Sequence, residues 1–498
     1  MERALRRGKV RMNTVPRFLR AGAAGLLAAG LLLAASVFIL DRTGRLPLPL
    51  LKSKFISAPE RLSRESALRD SGEFFFRLER VHPDHTFTLG PAGYEELKRR
   101  TADEIKEKAG KNGWLSVREF AYILQRSAAA VGDGHTLLRY SYEIDAEDAR
   151  PRFPPFTLEN KDGRLVISPA SGGQYAGAEL VAINGTPFKE FIRPIMERIS
   201  GETFKFKAHL FELKQWFWWD FSGLLAGLGS FEAELRYPDG KVTTARFGTA
   251  GPQGIPLGRT RKQGSGASLS LYHKNKIGWL NYASFEFSEA QKNELTGIFK
   301  KLNAEGIRDL VIDLRGNTGG NSGMGDFIFS RISRAGVVQT SGRIKVSEEF
   351  IKIFPRLEEF RHRVGTVIEM GKQASVAVGP DEFFDGRVYL LTDNGSYSSS
   401  NLFAAAFRDY KLGTIIGYET GEPPIAFGNI VNLALPESGI EYGISACKYF
   451  PPKPRPGDDK RGVIPDVVLN DGLLRPYGGR AQAFVLDYIV RERKGKKG

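Results

Sequence analysis

The sequence predicts an α/β fold, and two segments carry the prediction. In the first, the apolar run 388–391 breaks into small residues and continues as the helical pattern 402–410. In the second, the segment 310–314, Leu-Val-Ile-Asp-Leu, has the composition of a buried strand and leads into the glycine-rich turn 316–320. Strand, glycine turn, helix, strand, serine loop and helix is an order that gathers active-site loops at one edge of an α/β sheet.

The first 40 residues have the composition of a membrane-targeting segment. Residues 1–20 hold seven basic residues against Glu2, so they carry six of the fifteen net positive charges. Residues 21–40 contain no charged residue, and as a helix they would span about 30 Å, the thickness of a bilayer core. We expect a retained single-pass anchor in the cell inner membrane, with the rest of the chain periplasmic or extracellular; cleavage as a signal segment is the alternative.

Residues 60–136 are predicted to form a helical subdomain. Ser116 and Glu119 have the spacing of a capping box, and the apolar residues that follow recur at helical intervals. Gly132 is predicted to end this helix. His135 is then placed on a short loop directly after a rigid element.

Residues 150–250 are predicted to form a small β subdomain. The tripeptide 183–185, Ile-Asn-Gly, suits a tight turn and resembles a hairpin of PDZ-like domains, which bind peptide ends by adding a strand. The glycine-rich carboxylate loop of such domains is not visible, so an altered PDZ-like module and a plain β hairpin both stay open. The aromatic cluster 216–221 is expected to pack between subdomains, with a surface for apolar ligands as the alternative.

Residues 275–470 are predicted to form the α/β core, followed at 471–498 by a C-terminal helix and a basic tail. A long insert, 321–387, lies between the glycine turn and the strand before the serine loop. Its length indicates a cover over the site.

Ser398 is the main candidate functional residue. A strand that delivers a serine to the start of a helix is a common way to expose a nucleophile, because free N–H groups there stabilise developing negative charge. The alternative is that Ser398, Ser399 and Ser400 only cap the helix.

Five motifs together resemble the tail-specific, C-terminal processing proteases of serine peptidase family S41. The resemblance implies a crotonase-like α/β core built from ββα units, and hydrolysis of peptide bonds. The motifs are LVIDLRGNTGG at 310–320, FFDGRVYLLT at 383–392, LTDNGSYSSSN at 391–401, GYETG at 417–421 and GVIPD at 462–466.

The base differs from that of the better-known members, which place a lysine 25 residues after the serine. That position is Pro423 here, and Lys411 is at the far end of the same helix. The segment 132–135, Gly-Asp-Gly-His, is instead similar to the histidine loop of the tricorn-core-like branch of the family. The resemblance therefore implies that His135 is the general base; a surface loop histidine is the alternative.

The remaining site residues follow from the same resemblance. The branch places an acid shortly before the closing GVIPD motif, which favours Asp459 over its neighbour Asp458; turn residues after 456–457 are an equal alternative. The oxyanion hole is expected from the N–H groups of Gly319 and Ser399, with glycine required where the backbone approaches a substrate carbonyl.

Composition limits the chemistry. No cysteine/histidine spacing for a metal, no phosphate loop and no dinucleotide fingerprint occurs, and Cys447 is the single cysteine. No metal, cofactor or nucleic-acid partner is expected, and the oligomeric state is not predicted. The sequence favours an extracytoplasmic serine endopeptidase acting on peptides or unfolded proteins through an acyl-enzyme. The alternatives are an inactive peptide-binding scaffold and a carrier of apolar ligands, since the fold resembles retinoid-binding modules.

Overall fold

The computed structural model describes residues 59–139, 152–213, 215–250, 266–371 and 373–495. The basic segment 1–20 and the expected anchor 21–40 lie outside the described residues. Within the described ranges, no helix combines the length and apolar character needed to cross a membrane.

The N-terminal part is helical, and its third helix starts at the predicted capping box. The Ser116 hydroxyl accepts from the Glu119 N–H at 3.1 Å, and the Glu119 carboxylate accepts from the Ser116 N–H at 3.0 Å. This confirms the helix start, and Gly132 follows its end with a φ of 76°. The elements are β1 (Arg61–Ser63), α1 (Arg64–Val81), α2 (Gly90–Ala109), β2 (Trp114–Ser116), α3 (Val117–Ala130) and β3 (Leu137–Arg139).

The second part is an antiparallel sheet covered by short helices. The tight turn predicted at 184–185 is present: Ile183 pairs with Thr186, and Asn184 and Gly185 both have positive φ. A PDZ-like identity stays a prediction. The elements are β4 (Leu158–Lys161), β5 (Arg164–Ile167), β6 (Glu179–Ile183), β7 (Thr186–Pro187), α4 (Phe188–Phe191), α5 (Arg193–Met196), α6 (Phe204–Leu213), α7 (Gln215–Leu224), β8 (Ser230–Arg236) and β9 (Val242–Gly248).

Only part of the aromatic cluster 216–221 can be described. Phe221 is fully buried and packs among apolar side chains of this second part, including Phe188 and Phe211. The side chains of 216–219 lie outside the described residues, so the expected packing between subdomains is not tested there.

The third part holds two sheets. Its elements are β10 (Ala267–Tyr272), β11 (Ile277–Tyr282), α8 (Glu289–Ala304), β12 (Asp309–Asp313), α9 (Gly323–Ile332), β13 (Ser341–Lys345), α10 (Glu348–Ile353), β14 (Val367–Glu369), β15 (Arg387–Thr392), α11 (Ser399–Tyr410), β16 (Gly413–Gly417), β17 (Ala426–Ala434), β18 (Glu441–Phe450), β19 (Val467–Val468), α12 (Asp471–Leu474) and α13 (Ala481–Gly495).

The first of these sheets is the framework of the site. Its strand order is β10-β11-β12-β15-β16-β19, with β10 antiparallel and the others parallel. Residues of α8, α9 and α11 share a core with one face, whereas α13 packs on the other. Since β12 and β15 are adjacent and parallel, the loops after them meet at one edge of the sheet. Both loops were predicted to carry site residues.

The second sheet joins the helical part to the core. Strands β14, β13, β18 and β17 are neighbours in that order, and β3 pairs with β18. Buried residues of α1 and α3 lie in one apolar cluster with Ile344, Phe350, Ile368 and Tyr442. The insert 321–387 therefore supplies strands and a helix to this framework. That it also covers the site stays a prediction.

Candidate active site

The loop that carries Ser398 is held against the glycine turn after β12. The Asp393 carboxylate accepts from the N–H groups of Gly316 at 2.7 Å and Gly395 at 2.9 Å. The Ser396 hydroxyl donates to the Leu314 carbonyl at 2.8 Å. These bonds fix the path of the chain between β15 and α11, so that Ser398 sits directly before the first helical residue.

Ser398 has the backbone conformation of an exposed nucleophile. Its φ of 55° and ψ of −125° are sparsely populated for a residue with a side chain, and such strain at a strand-to-helix turn lifts a serine hydroxyl away from the sheet. The Ser398 side chain makes no capping hydrogen bond to α11. The capping alternative is therefore wrong for Ser398, although Ser399 does use its hydroxyl structurally, donating to the Gly320 carbonyl at 2.8 Å.

His135 reaches this serine from the helical part of the chain. It lies between α3 and β3, and the pairing of β3 with β18 holds the loop on the core. The Nε2 atom of His135 is 3.0 Å from Ser398 Oγ, across a separation of 263 residues. The imidazole is buried. The structure thus brings together the two residues on which the predicted chemistry depends.

The structure does not bring Asp459 to this pair. Asp459 is exposed, and its neighbour Asp458 binds the Arg408 guanidinium at 2.7 and 2.9 Å. The acidic side chains next to His135 are instead Asp133 and Glu422, each with an oxygen 3.7 Å from Nδ1. Asp458 and Asp459 belong to the turn before the GVIPD motif, as the alternative interpretation had it.

Glu422 is the functional candidate that sequence reasoning missed. Its side chain is fully buried, and Oε2 accepts from the Ser398 N–H at 2.9 Å. Oε1, the atom nearest His135, has no hydrogen-bond partner among the described residues. No local pattern in the sequence marks Glu422, which directly precedes Pro423, the position of the lysine in the better-known members.

Three carboxylates lie around the imidazole: Asp133 and Glu422 are buried, and Glu202 is half-buried. Burial opposes ionisation of Asp133, yet the neighbouring His135 and His82 hold its pKa well below the usual range. Burial raises the pKa of Glu422 well above its usual value, with a further contribution from Glu202. Burial and the nearby Asp133 raise the pKa of Glu202 to about 7.

These acids favour a positively charged His135. Burial alone would lower the pKa of its imidazole, but Asp133, Glu422 and Glu202 together raise that pKa to about 9. A site that stabilises imidazolium lowers the barrier for taking a proton from Ser398. The same groups must leave enough neutral imidazole to act as a base.

The predicted oxyanion residues lie beside the nucleophile. Gly319 has a φ of 99°, and a β-carbon there would lie 2.7 Å from Ser398 Cβ and 2.8 Å from Ser399 N. The Ser399 N–H is in the first turn of α11, where helices leave N–H groups without intrahelical acceptors. The Gly319 N–H donates to Asn317 Oδ1 at 2.9 Å, so it would have to exchange that acceptor for a substrate oxygen.

Asp133, His135 and Glu202 also offer ligand atoms within 4.8 Å of one another. Both carboxylates already accept hydrogen bonds: Asp133 accepts from Thr136 Oγ1 at 2.6 Å, and Glu202 accepts from the Gly134 N–H at 2.9 Å. A cation would have to displace these donors. The donor set therefore fits a hydrogen-bonded charge network better than a metal site.

The comparisons with known proteins concern the same region. The model of peptidase family S41 matches residues 276–469. A carboxyl-terminal-processing protease of Synechocystis sp. is 24% identical over 198 residues, which are 40% of this chain and 39% of that protein. The aligned part thus spans well under half the length of this curated relative.

The fold is shared with solved structures at low sequence identity. Mature CPAF in complex with lactacystin covers 86% of this chain and 98% of its own, with a TM-score of 0.59 and 14% identity. A CPAF mutant gives a TM-score of 0.61, also at 14% identity, and covers 84% of this chain and 96% of its own. These matches support the α/β fold. The family match adds that residues 276–469 are similar to peptidase family S41.

Proposed function

We propose that the protein is an extracytoplasmic serine endopeptidase that hydrolyses peptide bonds through an acyl-enzyme, with Ser398 as nucleophile and His135 as general base. The observation that carries the proposal is the 3.0 Å approach of His135 Nε2 to Ser398 Oγ. This distance is within the range needed for proton transfer. The substrate class is a peptide or an unfolded protein.

Each group has a separate task in this mechanism. His135 takes the proton from Ser398 Oγ as that oxygen attacks the scissile carbonyl, and later gives it to the leaving amine. Glu422 and Asp133 stabilise the imidazolium formed in between. The Ser399 and Gly319 N–H groups receive the negative charge on the substrate oxygen. Water then hydrolyses the acyl-enzyme by the reverse use of the same base.

The positions of Lys411 and Pro423 support the tricorn-core-like Ser–His form of the family over the Ser–Lys form. Lys411 is the C-cap of α11, at the opposite end from Ser398. At about 1.5 Å per residue the two are separated by almost the whole helix. Pro423 occupies the position of the expected lysine. We also propose that the core is of the crotonase-like type and that the second part is an altered PDZ-like module.

A fluorophosphonate tests the nucleophile directly. Such a reagent phosphonylates a serine that is activated by a neighbouring base. We expect stoichiometric labelling of the full chain, with the modified peptide containing Ser398, and no labelling of Ser398→Ala. Ser270→Ala, on strand β10, is the control. Absence of labelling in a folded wild-type protein would favour the inactive peptide-binding scaffold, and retention of a bound apolar ligand after purification would favour the carrier.

The location is part of the proposal and rests on the basic segment 1–20 followed by the uncharged segment 21–40. We expect the full chain in the membrane fraction, resistant to salt extraction. An added protease should digest residues 59–495 only after the outer face of the membrane has been made accessible. Recovery in the soluble cytoplasmic fraction would contradict this proposal without affecting the chemistry.

A further inference from the structure

The 201–206 segment, which leads into α6, contacts the loops that carry His135, Glu422 and Ser398. The Glu202 carboxylate accepts from the Gly134 N–H at 2.9 Å, in the loop of His135. The Thr203 hydroxyl donates to the Gly421 carbonyl at 2.8 Å, next to Glu422. The Phe206 ring stacks on Tyr397 with centroids 3.8 Å apart and an interplanar angle of 4°. The second part of the chain is therefore built into the site.

The Tyr397 hydroxyl has a central place among these contacts. It lies 3.0 Å from both oxygens of Glu202 and 3.4 Å from His135 Nδ1. Both acidic candidates are farther from that nitrogen, at 3.7 Å. The hydroxyl is thus the nearest polar side-chain group to Nδ1 among the described contacts, and it belongs to the residue directly before the nucleophile.

We propose that Tyr397, held by Glu202, orients the His135 imidazole, so that both are positioning residues for the general base. This inference rests on the proposed peptidase function. When Nε2 accepts the Ser398 proton, Nδ1 must already carry a hydrogen. The Tyr397 oxygen accepts that hydrogen and donates its own to Glu202. No proton leaves the Tyr397 hydroxyl at any step.

The charges around the hydroxyl support its role as a neutral donor. Burial and the neighbouring carboxylates of Glu202, Glu422 and Asp133 raise the pKa of Tyr397 well above its usual value. The phenol therefore stays protonated throughout the pH range of a peptidase. A buried neutral group can fix the ring orientation without adding a further negative charge to the cluster.

Two other groups bear on the titration of this centre. Lys207 follows on α6 and interacts with Glu202. His82 lies 3.3 Å from Asp133 Oδ2 on the side away from His135. Glu202 contributes to the raised pKa of His135, the value of which is about 9. Removing the Glu202 charge should therefore lower that pKa, whereas removing the Tyr397 hydroxyl leaves all the charges in place.

The test compares Tyr397→Phe and Glu202→Gln with the wild type on a peptide substrate. We expect kcat to fall by about tenfold to a hundredfold in both, the range for losing one charge-assisted hydrogen bond in a buried site. KM should be unchanged. The acid limb of kcat/KM should move to lower pH in Glu202→Gln only. The rate of fluorophosphonate labelling should fall in parallel with kcat.

Tyr389→Phe is the matched control, because Tyr389 donates to Glu492 at 2.6 Å on the other face of the sheet. It removes an equivalent tyrosine–glutamate bond and should keep wild-type kcat. Wild-type kcat in Tyr397→Phe would overturn the inference and leave Asp133 or Glu422 as the orienting group. If Tyr397→Phe does not fold, as judged by thermal unfolding, the kcat and pH limb of Glu202→Gln decide. A wild type as inactive as Ser398→Ala would instead refute the proposed function.

Discussion

His135→Ala and Ser398→Ala are each expected to lower kcat for casein hydrolysis by about 10⁶-fold. Groups that act as a unit in serine peptidases show losses of this size singly, and the double variant loses little more. The 3.0 Å contact between the two side chains is the reason to expect such coupling here. The measurement is the release of soluble peptides by the full chain, with folding checked by circular dichroism.

An exposed histidine supplies the control for this experiment. His273 lies in a short turn after β10 and pairs with Glu305 at the surface, at 3.6 Å. His273→Ala should keep wild-type activity. If Ser398→Ala is inactive while His135→Ala keeps wild-type activity, the base has been assigned to the wrong residue. Equal activity in all three variants would remove Ser398 from the mechanism.

Gly319→Ala is expected to reduce kcat by about a hundredfold to a thousandfold, the loss found when one oxyanion donor is removed. The φ of 99° is unfavourable for alanine, and the new β-carbon would lie 2.7 Å from Ser398 Cβ and 2.8 Å from the Tyr397 carbonyl oxygen. The turn would have to move away from the nucleophile. Because the serine and histidine remain, fluorophosphonate labelling should slow down but not vanish.

Gly297→Ala provides the comparison for this substitution. Gly297 is in α8, and nothing lies within 4 Å of the position that its β-carbon would take. Alanine there should leave kcat unchanged and raise the free energy of unfolding by up to about 1 kcal/mol. A Gly319→Ala variant that keeps wild-type kcat would show that the 317–320 turn does not approach the substrate.

Helix starts and tight turns could be predicted from the sequence, because they depend on residues that are close together in the chain. The capping box at 116–119 and the tight turn at 184–185 are satisfied within a few residues, so the structure has them where they were predicted. The apolar run before the serine loop became β15 because a central parallel strand is buried on both faces. Ser398 and His135 were found through motifs, and the structure then placed them in contact.

The features that the sequence did not predict depend on contacts between distant parts of the chain. The pairing of β13, in the insert 321–387, was not predicted because its partner β18 lies about a hundred residues further along the chain. The acid was sought near 459 because no local pattern distinguishes a buried glutamate from a turn residue. Glu422 becomes a candidate only when its unpaired oxygen is seen to face His135. Sequence periodicity carries no information on a contact between residues as far apart in the chain as His135 and Glu422.

The pairing of β3 with β18 determines at which stage of synthesis and folding the proposed active site is assembled. His135 is synthesised 263 residues before Ser398, and it reaches the serine only after β18 has been made and has paired with β3. A nascent or truncated chain therefore contains the base without the nucleophile. Long-range pairing is slow compared with local folding, so the proposed hydrolytic activity would arise only at the end of folding. The order of the strands along the chain would then delay activity until folding is complete, as a removable propeptide does in other peptidases.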